Sequence, residues 1–257
     1  MLITDSHAHL TNPQLVSKTD ELVERAKAAS VQRIVNICTD EQSLIDGLAL
    51  AKRSPLVYNA AATTPHDVET EGASFFPQVE RCAKEGLLIA IGETGLDYFY
   101  EHSPKDLQQE FLIRYFALAR ECRLPVIIHC RDAFADLFRL ADTHYRDGPL
   151  LLHCFTGTQE EAEEGVRRGW KISMSGIITF KKSEALRDVV RHLPLENLLV
   201  ETDAPYLAPQ TKRGQENEPA FVVETLGVMA ALKDVSLEKM AAITTQNADE
   251  LFSFSKS

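Results

Sequence analysis

The sequence predicts a single-domain (β/α)8 TIM barrel, and three observations carry that expectation. Short apolar runs alternate with helical patterns from one end of the 257-residue chain to the other. The runs are nearly uninterrupted in apolar character, as are strands of a parallel sheet buried on both faces. Five of them stop at side chains of metal-binding type, and these converge only if the sheet closes and its first and last strands become neighbours. The alternative for the same rhythm is an open, doubly wound sheet, which leaves its first and last strands apart.

Candidate strands lie near 2–6, 33–38, 56–61, 87–92, 125–129, 149–153, 170–175 and 197–202. The first runs into His7-Ala8-His9. Side chains two apart on a strand face the same way, so two imidazoles can aim at one point, as metal binding requires. Thr39-Asp40-Glu41-Gln42 has the form of a capping box opening a helix after the second strand, and Thr158-Gln159-Glu160-Glu161 repeats it after the sixth. The fourth run, Leu87 to Gly92, ends at Glu93. After it, Leu107, Phe111, Tyr115, Leu118 and Cys122 recur at helical spacing from about Pro104, one apolar stripe for packing against the sheet.

The fifth run ends at His129, the sixth at His153 and the eighth at Asp203. His7, His9, Glu93, His129, His153 and Asp203 thus form a ligand set suited to two divalent cations, at the strand ends where barrel active sites lie. A polar loop over 208–216 and two helical patterns follow. The last begins near Ser236 and runs Leu237, Met240, Ala241, Thr244, Ala248, Leu251, and is expected to pack on the barrel exterior. No linker divides the chain, so residues 1–257 read as one domain.

Composition narrows the function. A net charge of −11 argues against a general basic surface for gripping nucleic acid, though bound metals can make a site locally positive. Apolar content of 44% and charged content of 25% are ordinary for a soluble globular protein. No run approaches membrane-spanning length, and the N-terminus has no basic segment leading an apolar core. The five cysteines are odd in number, scattered and without a Cys-x-x-Cys pair, which reads as reduced thiols of a cytoplasmic protein. Cys130 and Cys154 each follow a ligand histidine, and strand alternation is expected to turn them away as small apolar fillers. No obligate protein partner is evident.

Several segments together resemble the TatD family of metal-dependent deoxyribonucleases, within the amidohydrolase-like barrel superfamily. They are Asp5-Ser6-His7-Ala8-His9-Leu10, Ile91-Gly92-Glu93-Thr94-Gly95-Leu96-Asp97-Tyr98, Pro125-Val126-Ile127-Ile128-His129-Cys130-Arg131-Asp132-Ala133, His153-Cys154-Phe155-Thr156-Gly157 and Glu201-Thr202-Asp203-Ala204-Pro205-Tyr206-Leu207, with Asn217-Glu218-Pro219-Ala220 before the late helix. The resemblance spans nearly the whole chain, in order. One segment departs: where the family often carries Gly-x-His-Pro-His, Ala62-Thr63-Thr64-Pro65-His66 replaces the first histidine with Thr64. His66 then either touches substrate or caps a loop.

The resemblance implies that His7, His9 and Asp203 hold one metal, that His129 and His153 hold the other, and that Glu93 bridges them. Such ions lie about 3.5–4 Å apart and activate a water near neutral pH. Zinc suits these ligands best, with manganese, nickel, cobalt or magnesium as substitutes. Asp203 is expected to orient or deprotonate the attacking water. Glu201, two residues earlier, is read as a hydrogen-bond partner of a ligand or a substrate contact. Arg131 is expected at the barrel mouth, gripping a phosphate oxygen or else pairing with Asp132. Asp97 reads as a turn residue, and Lys181-Lys182 and Lys212-Arg213 as solvated surface. The implied substrate is DNA, entered from a strand end. Hydrolysis of another bond, in a small phosphoester, amide or lactone, uses the same chemistry, and a non-catalytic metal-binding scaffold is the third reading.

Overall fold

A computed structural model describes residues 1–254. Eight parallel strands follow in sequence order: β1 (Ile3–Ala8), β2 (Val31–Cys38), β3 (Val57–Ala61), β4 (Ala90–Asp97), β5 (Val126–Arg131), β6 (Leu150–Leu152), β7 (Lys171–Met174) and β8 (Leu198–Val200). Helices α1 (Thr19–Ala28), α2 (Glu41–Arg53), α3 (Gly72–Lys84), α4 (Lys105–Cys122), α5 (Phe134–His144), α6 (Gln159–Arg167) and α7 (Glu184–His192) connect them, and α8 (Val222–Leu232) and α9 (Leu237–Phe252) complete the chain. The sheet closes through the segment after β8: Ser6 Oγ donates to Val200 O at 3.0 Å, Asp203 N–H to His7 O at 2.9 Å and His9 N–H to Ala204 O at 2.7 Å. The fold is therefore the single-domain (β/α)8 TIM barrel that the alternation predicts.

The core has two parts. The larger packs helices against the outside of the sheet and includes Phe111, Tyr115 and Leu118 of the α4 stripe. The smaller gathers Val35, Ile37, Ala60, Ala90, Ile127, Leu151 and Leu199 from the strands, together with Ala248, Leu251 and Phe252 of α9. This corrects the expectation that the last helix lies wholly outside. The end of α9 packs with these strand residues, among them the small Ala60 and Ala90. Phe254 packs on Tyr58 with ring centroids 4.8 Å apart, and the Arg33 guanidinium lies 4.7 Å from the Phe254 ring. The apolar plug at one end leaves the opposite end for polar chemistry.

Two local readings shift. The helix after β2 is capped by Asp40 rather than Thr39: Asp40 Oδ1 accepts from Ser43 N–H at 2.8 Å, and Ser43 Oγ accepts from Asp40 N–H at 3.1 Å. The box at Thr158 and Glu161 forms as expected. Strand β4 begins at Ala90 and runs on through Glu93 to Asp97, pairing Thr94 with Ile128, Gly95 with His129 and Asp97 with Arg131 after a register shift. This pairing depends on glycine. Gly95 sits at φ +145°, and a Cβ there would lie 1.9 Å from His129 O. Glu93 is consequently not a strand end, and Asp97 two positions beyond Gly95 points to the same face.

Candidate metal centre

The strand ends bring four imidazoles and several carboxylates together at the C-terminal mouth. Glu93 stands at the centre. Its Oε2 lies 3.3 Å from His7 Nε2 and 3.6 Å from His9 Nε2, and its Oε1 lies 3.2 Å from His129 Nδ1 and 3.1 Å from His153 Nε2. One carboxylate thus faces two pairs of histidines, one pair with each oxygen. Asp203 Oδ1 lies 3.4 Å from His9 Nε2 and 3.6 Å from His7 Nε2, on the first pair only. All six residues singled out from the strand ends are brought together.

Asp203 reaches this position by a route strand periodicity does not describe. Strand β8 stops at Val200, and Asp203 follows in a left-handed conformation, φ +59°, held by its N–H bond to His7 O. The preceding turn is tied down by Asp5, which accepts from Thr202 N–H at 2.9 Å and from the Thr202 hydroxyl at 2.6 Å. Burial pushes the Asp5 carboxyl up to about 7 despite those bonds. Sequence reasoning assigns Asp5, in the opening motif, no role. It positions both β1 and the Asp203 turn.

Behind the centre, two more carboxylates address the outer ring nitrogens. Asp97 Oδ2 accepts from His129 Nε2 at 2.9 Å, and Glu201 Oε1 lies 3.4 Å from His153 Nδ1. Glu201 is fully buried, also accepts from Ser173 Oγ, and does not line the cavity, so the expectation of a substrate contact is corrected. Asp97 corrects the turn reading. It is fully buried, and its Oδ1 accepts from the backbone N–H of Phe99 at 3.0 Å and Tyr100 at 2.7 Å. The signal was available: with β4 extended by four residues, Asp97 shares parity with Glu93.

The cavity above, about 570 Å³, is lined by His9, Glu93, His129, His153 and Asp203 and by His66, Tyr100, Arg131 and Tyr206. His66 Nε2 lies 3.6 Å from Asp97 Oδ2, on a loop where Ser103 Oγ donates to His66 O at 2.8 Å. Thr64, standing where the family often has histidine, donates to Asp67 Oδ2 at 2.8 Å and closes that loop from within. The Arg131 guanidinium lies 3.8 Å from the Phe99 ring centroid and 4.8 Å from that of Tyr100, and among the described residues no ion pair joins it to Asp132. Cys130 and Cys154 also line the cavity, against expectation. Strand β6 ends at Leu152, so alternation no longer governs Cys154, whose backbone turns at φ +43°. Of the basic pairs, Lys212 lies 5.0 Å from the Phe221 ring centroid and Arg213 lies 4.6 Å from that of Phe180, covering aromatics rather than standing free.

The donor chemistry fits divalent cations. Inner nitrogens converge on two carboxylates, the outer nitrogen of His129 is held by Asp97 and that of His153 faces Glu201 at 3.4 Å, the arrangement that fixes ring orientation at metal sites. Burial disfavours charge on all these groups. At Glu93 the neighbouring His153, His129 and His7 outweigh it and hold the carboxyl well below the usual range. At His153, burial is outweighed by Glu93 and Glu201, and the ring is pushed well above the usual imidazole range. His9 and His129 are raised against the same burial cost by Asp203 and Asp97. At His7 burial and the neighbouring His153 win instead and the ring is held below the usual range. Because His153, His9 and His129 are held above the usual range, zinc uptake is expected to release protons and its affinity to rise as pH climbs above the ordinary imidazole value of about 6.5, as calorimetry in buffers of different ionisation enthalpy will detect. Affinity independent of pH contradicts this.

Asp97 supplies a second expectation. Asp97→Asn keeps an oxygen for the Phe99 and Tyr100 amides but cannot accept from His129 Nε2–H at its nitrogen. Zinc affinity is expected to fall roughly 10–100-fold in a competitive chelator titration, with the fold intact. Unchanged affinity makes Asp97 a loop clamp only.

A (β/α)8 barrel with imidazoles and carboxylates converging at its C-terminal mouth is the architecture of a metal-dependent hydrolase. The sequence matches the family described as TatD related DNase over residues 4–253, and the chain belongs to that family. It is 39% identical to the "uncharacterized metal-dependent hydrolase YcfH" of Escherichia coli K12, over 98% of this chain and 96% of that one. It is 34% identical to the "3′-5′ ssDNA/RNA exonuclease TatD" of Citrobacter rodentium, over 96% and 97%. The crystal structure of YjjV, a TatD homologue from Escherichia coli K12, superposes with a TM-score of 0.92 at 29% identity, covering 98% of each chain. Among the described residues no helix is long and apolar enough to cross a membrane.

Proposed function

We propose that this protein hydrolyses DNA phosphodiester bonds, working inward from a strand end, with two divalent ions of which zinc is the first choice. The observation that carries the reading is Glu93, whose two oxygens each face a separate pair of histidines beneath an open cavity. His7, His9 and Asp203 would hold one ion, His129 and His153 the other, and Glu93 both. When bound, such a pair supplies an electrophile for the phosphoryl oxygen and a water acidic near neutral pH.

The protein's own groups do the rest. Asp203 orients the attacking water or takes its proton. Asp97 and Glu201 keep His129 and His153 aimed inward. Arg131, free of Asp132 and lining the cavity, offers a planar fork to phosphate oxygens, and His66 offers a ring nitrogen across from it. The net charge of −11 leaves long-range attraction to a duplex weak, so the grip is local. A cavity of about 570 Å³ falls in the range of small-ligand sites, roughly 300–1,000 Å³, which suits a single terminal nucleotide better than the middle of a duplex. The name of the Citrobacter rodentium relative supports a single-stranded substrate. Five free cysteines agree with a reducing, cytoplasmic setting.

The test is metal analysis coupled to hydrolysis of end-labelled single- and double-stranded DNA. Chelated protein is expected to be inactive and to recover with zinc, manganese or magnesium, with about two ions per chain at full activity. Full activity without metal contradicts the reading. Turnover of small phosphoesters, amides or lactones, but of no oligonucleotide, moves the substrate to that class.

A further inference from the structure

Among the described residues the exposed large apolar side chains include three aromatics, and all three stand around the metal-centre cavity. Phe99 is 54% exposed, Tyr100 52% and Tyr206 46%. Tyr100 and Tyr206 line the cavity from different loops, after β4 and after β8. Phe99 lines an adjoining groove that shares Arg131, Cys130, Thr156 and Ile177 with the cavity. Rings of this size are not left in water without cause when they cluster at one opening.

Each ring is also held in place. Asp97 Oδ1 fixes the Phe99 and Tyr100 amides. His102 stacks on Tyr100 with centroids 5.4 Å apart and planes 5° from parallel, yet half of the tyrosine stays exposed. Asn12 Nδ2 donates to the Tyr206 hydroxyl at 3.0 Å. Arg131 joins two of the three, its guanidinium 3.8 Å from the Phe99 ring centroid and 4.8 Å from that of Tyr100. A cation beside pre-set aromatic faces matches a nucleotide, whose phosphate seeks the charge and whose base seeks a π-surface.

We propose that Phe99, Tyr100 and Tyr206 form a base-stacking rim that selects a single-stranded nucleic-acid end, with unpaired terminal bases lying on Tyr100 and Tyr206 and the next base on Phe99 beside Arg131. The proposal rests on the phosphodiesterase reading and adds what it lacks, a reason for single strands. In a duplex every interior base has both faces covered and the terminal pair offers one outer face only, so successive paired bases cannot lie on separate rings of the rim. Stacking on aromatics tolerates any base, so the rim confers strand selectivity without sequence preference.

The experiment compares the metal-loaded enzyme on a single-stranded DNA oligonucleotide and on the same oligonucleotide with the two nucleotides at each end lacking their bases. Tyr100→Leu and Tyr206→Leu keep apolar bulk and remove the π-face. Each is expected to raise KM on the complete strand by roughly 5- to 100-fold, with kcat little changed and a far smaller loss on the baseless strand. Tyr100→Phe keeps the wild-type KM, and Tyr206→Phe, which keeps the π-face but loses the Asn12 bond, stays far closer to it than Tyr206→Leu. A 2-aminopurine placed at the terminal position is expected to lose fluorescence on binding wild-type enzyme, and less so with the leucine variants. Equal losses on both strands, no loss on either, or no quenching by wild-type enzyme overturns the rim while leaving hydrolysis of DNA intact. A wild-type enzyme that cleaves neither strand removes the phosphodiesterase reading and the rim with it.

Discussion

Asp203→Asn is expected to lower kcat on DNA by roughly 10²–10⁴-fold with little change in KM, the scale of a positioned acid–base group acting in the transition state. Asparagine has nearly the same shape and keeps one oxygen for a metal, but it cannot take a proton at neutral pH. The backbone that holds residue 203, through its N–H bond to His7 O and the Asp5–Thr202 clasp, is untouched by the change. The Asp203 carboxyl is buried, which disfavours its charge, yet the hydrogen bond from His9 and the neighbouring rings outweigh that and keep it below the usual range. It is therefore ionised throughout the neutral range. Kinetics and metal content must be measured on the same preparation, because a weakened ligand mimics a lost proton acceptor. Near-normal kcat with both ions present would falsify the role of Asp203 in proton handling. Glu201 is a poor substitute, being fully buried behind His153.

Glu93→Ala is the other large effect. Because one carboxylate faces both histidine pairs, its removal is expected to empty both metal positions and take hydrolysis to background. The drop in affinity should exceed the roughly 10–100-fold expected from Asp97→Asn, since Asp97 acts only through His129. His129→Ala, by contrast, should empty mainly one position. Atomic emission on dialysed protein reads the stoichiometry directly. A Glu93→Ala variant that retains two tightly bound ions contradicts the bridge.

Both experiments turn on residues visible in the sequence, and the reason is the barrel itself. Each strand of a closed parallel sheet delivers its C-terminal end to one mouth, so polar residues ending apolar runs are already a spatial list. His7, His9, Glu93, His129, His153 and Asp203 are legible in the sequence on that basis. Arg131 was legible too, by parity with His129 on β5. The segment resemblance added which of them share an ion.

What failed was the placing of strand ends. The apolar run from Leu87 to Gly92 places the end of β4 before Glu93. In the fold Gly95 is the residue that lets β4 pass close to His129 O and continue to Asp97. The truncated reading hid Asp97, which both holds His129 and clamps the loop bearing Phe99 and Tyr100. Strands β6 and β8, at three residues each, were read as longer, and that misjudged Cys154, which turns into the cavity after β6 has ended.

By itself, then, the sequence determined the barrel, its single domain, the mouth that carries chemistry and the six side chains meeting there. These follow from hydrophobic periodicity and from closure of the sheet, which are properties of runs of residues. Only the tertiary structure decided the partners of those side chains: Asp97 on His129, Glu201 behind His153, Asp5 under the Asp203 turn, Arg131 over Phe99, and α9 turned under the barrel. Such pairings join residues far apart in the chain, Asp5 and Thr202 by 197 positions, and depend on loop conformations that no periodicity encodes.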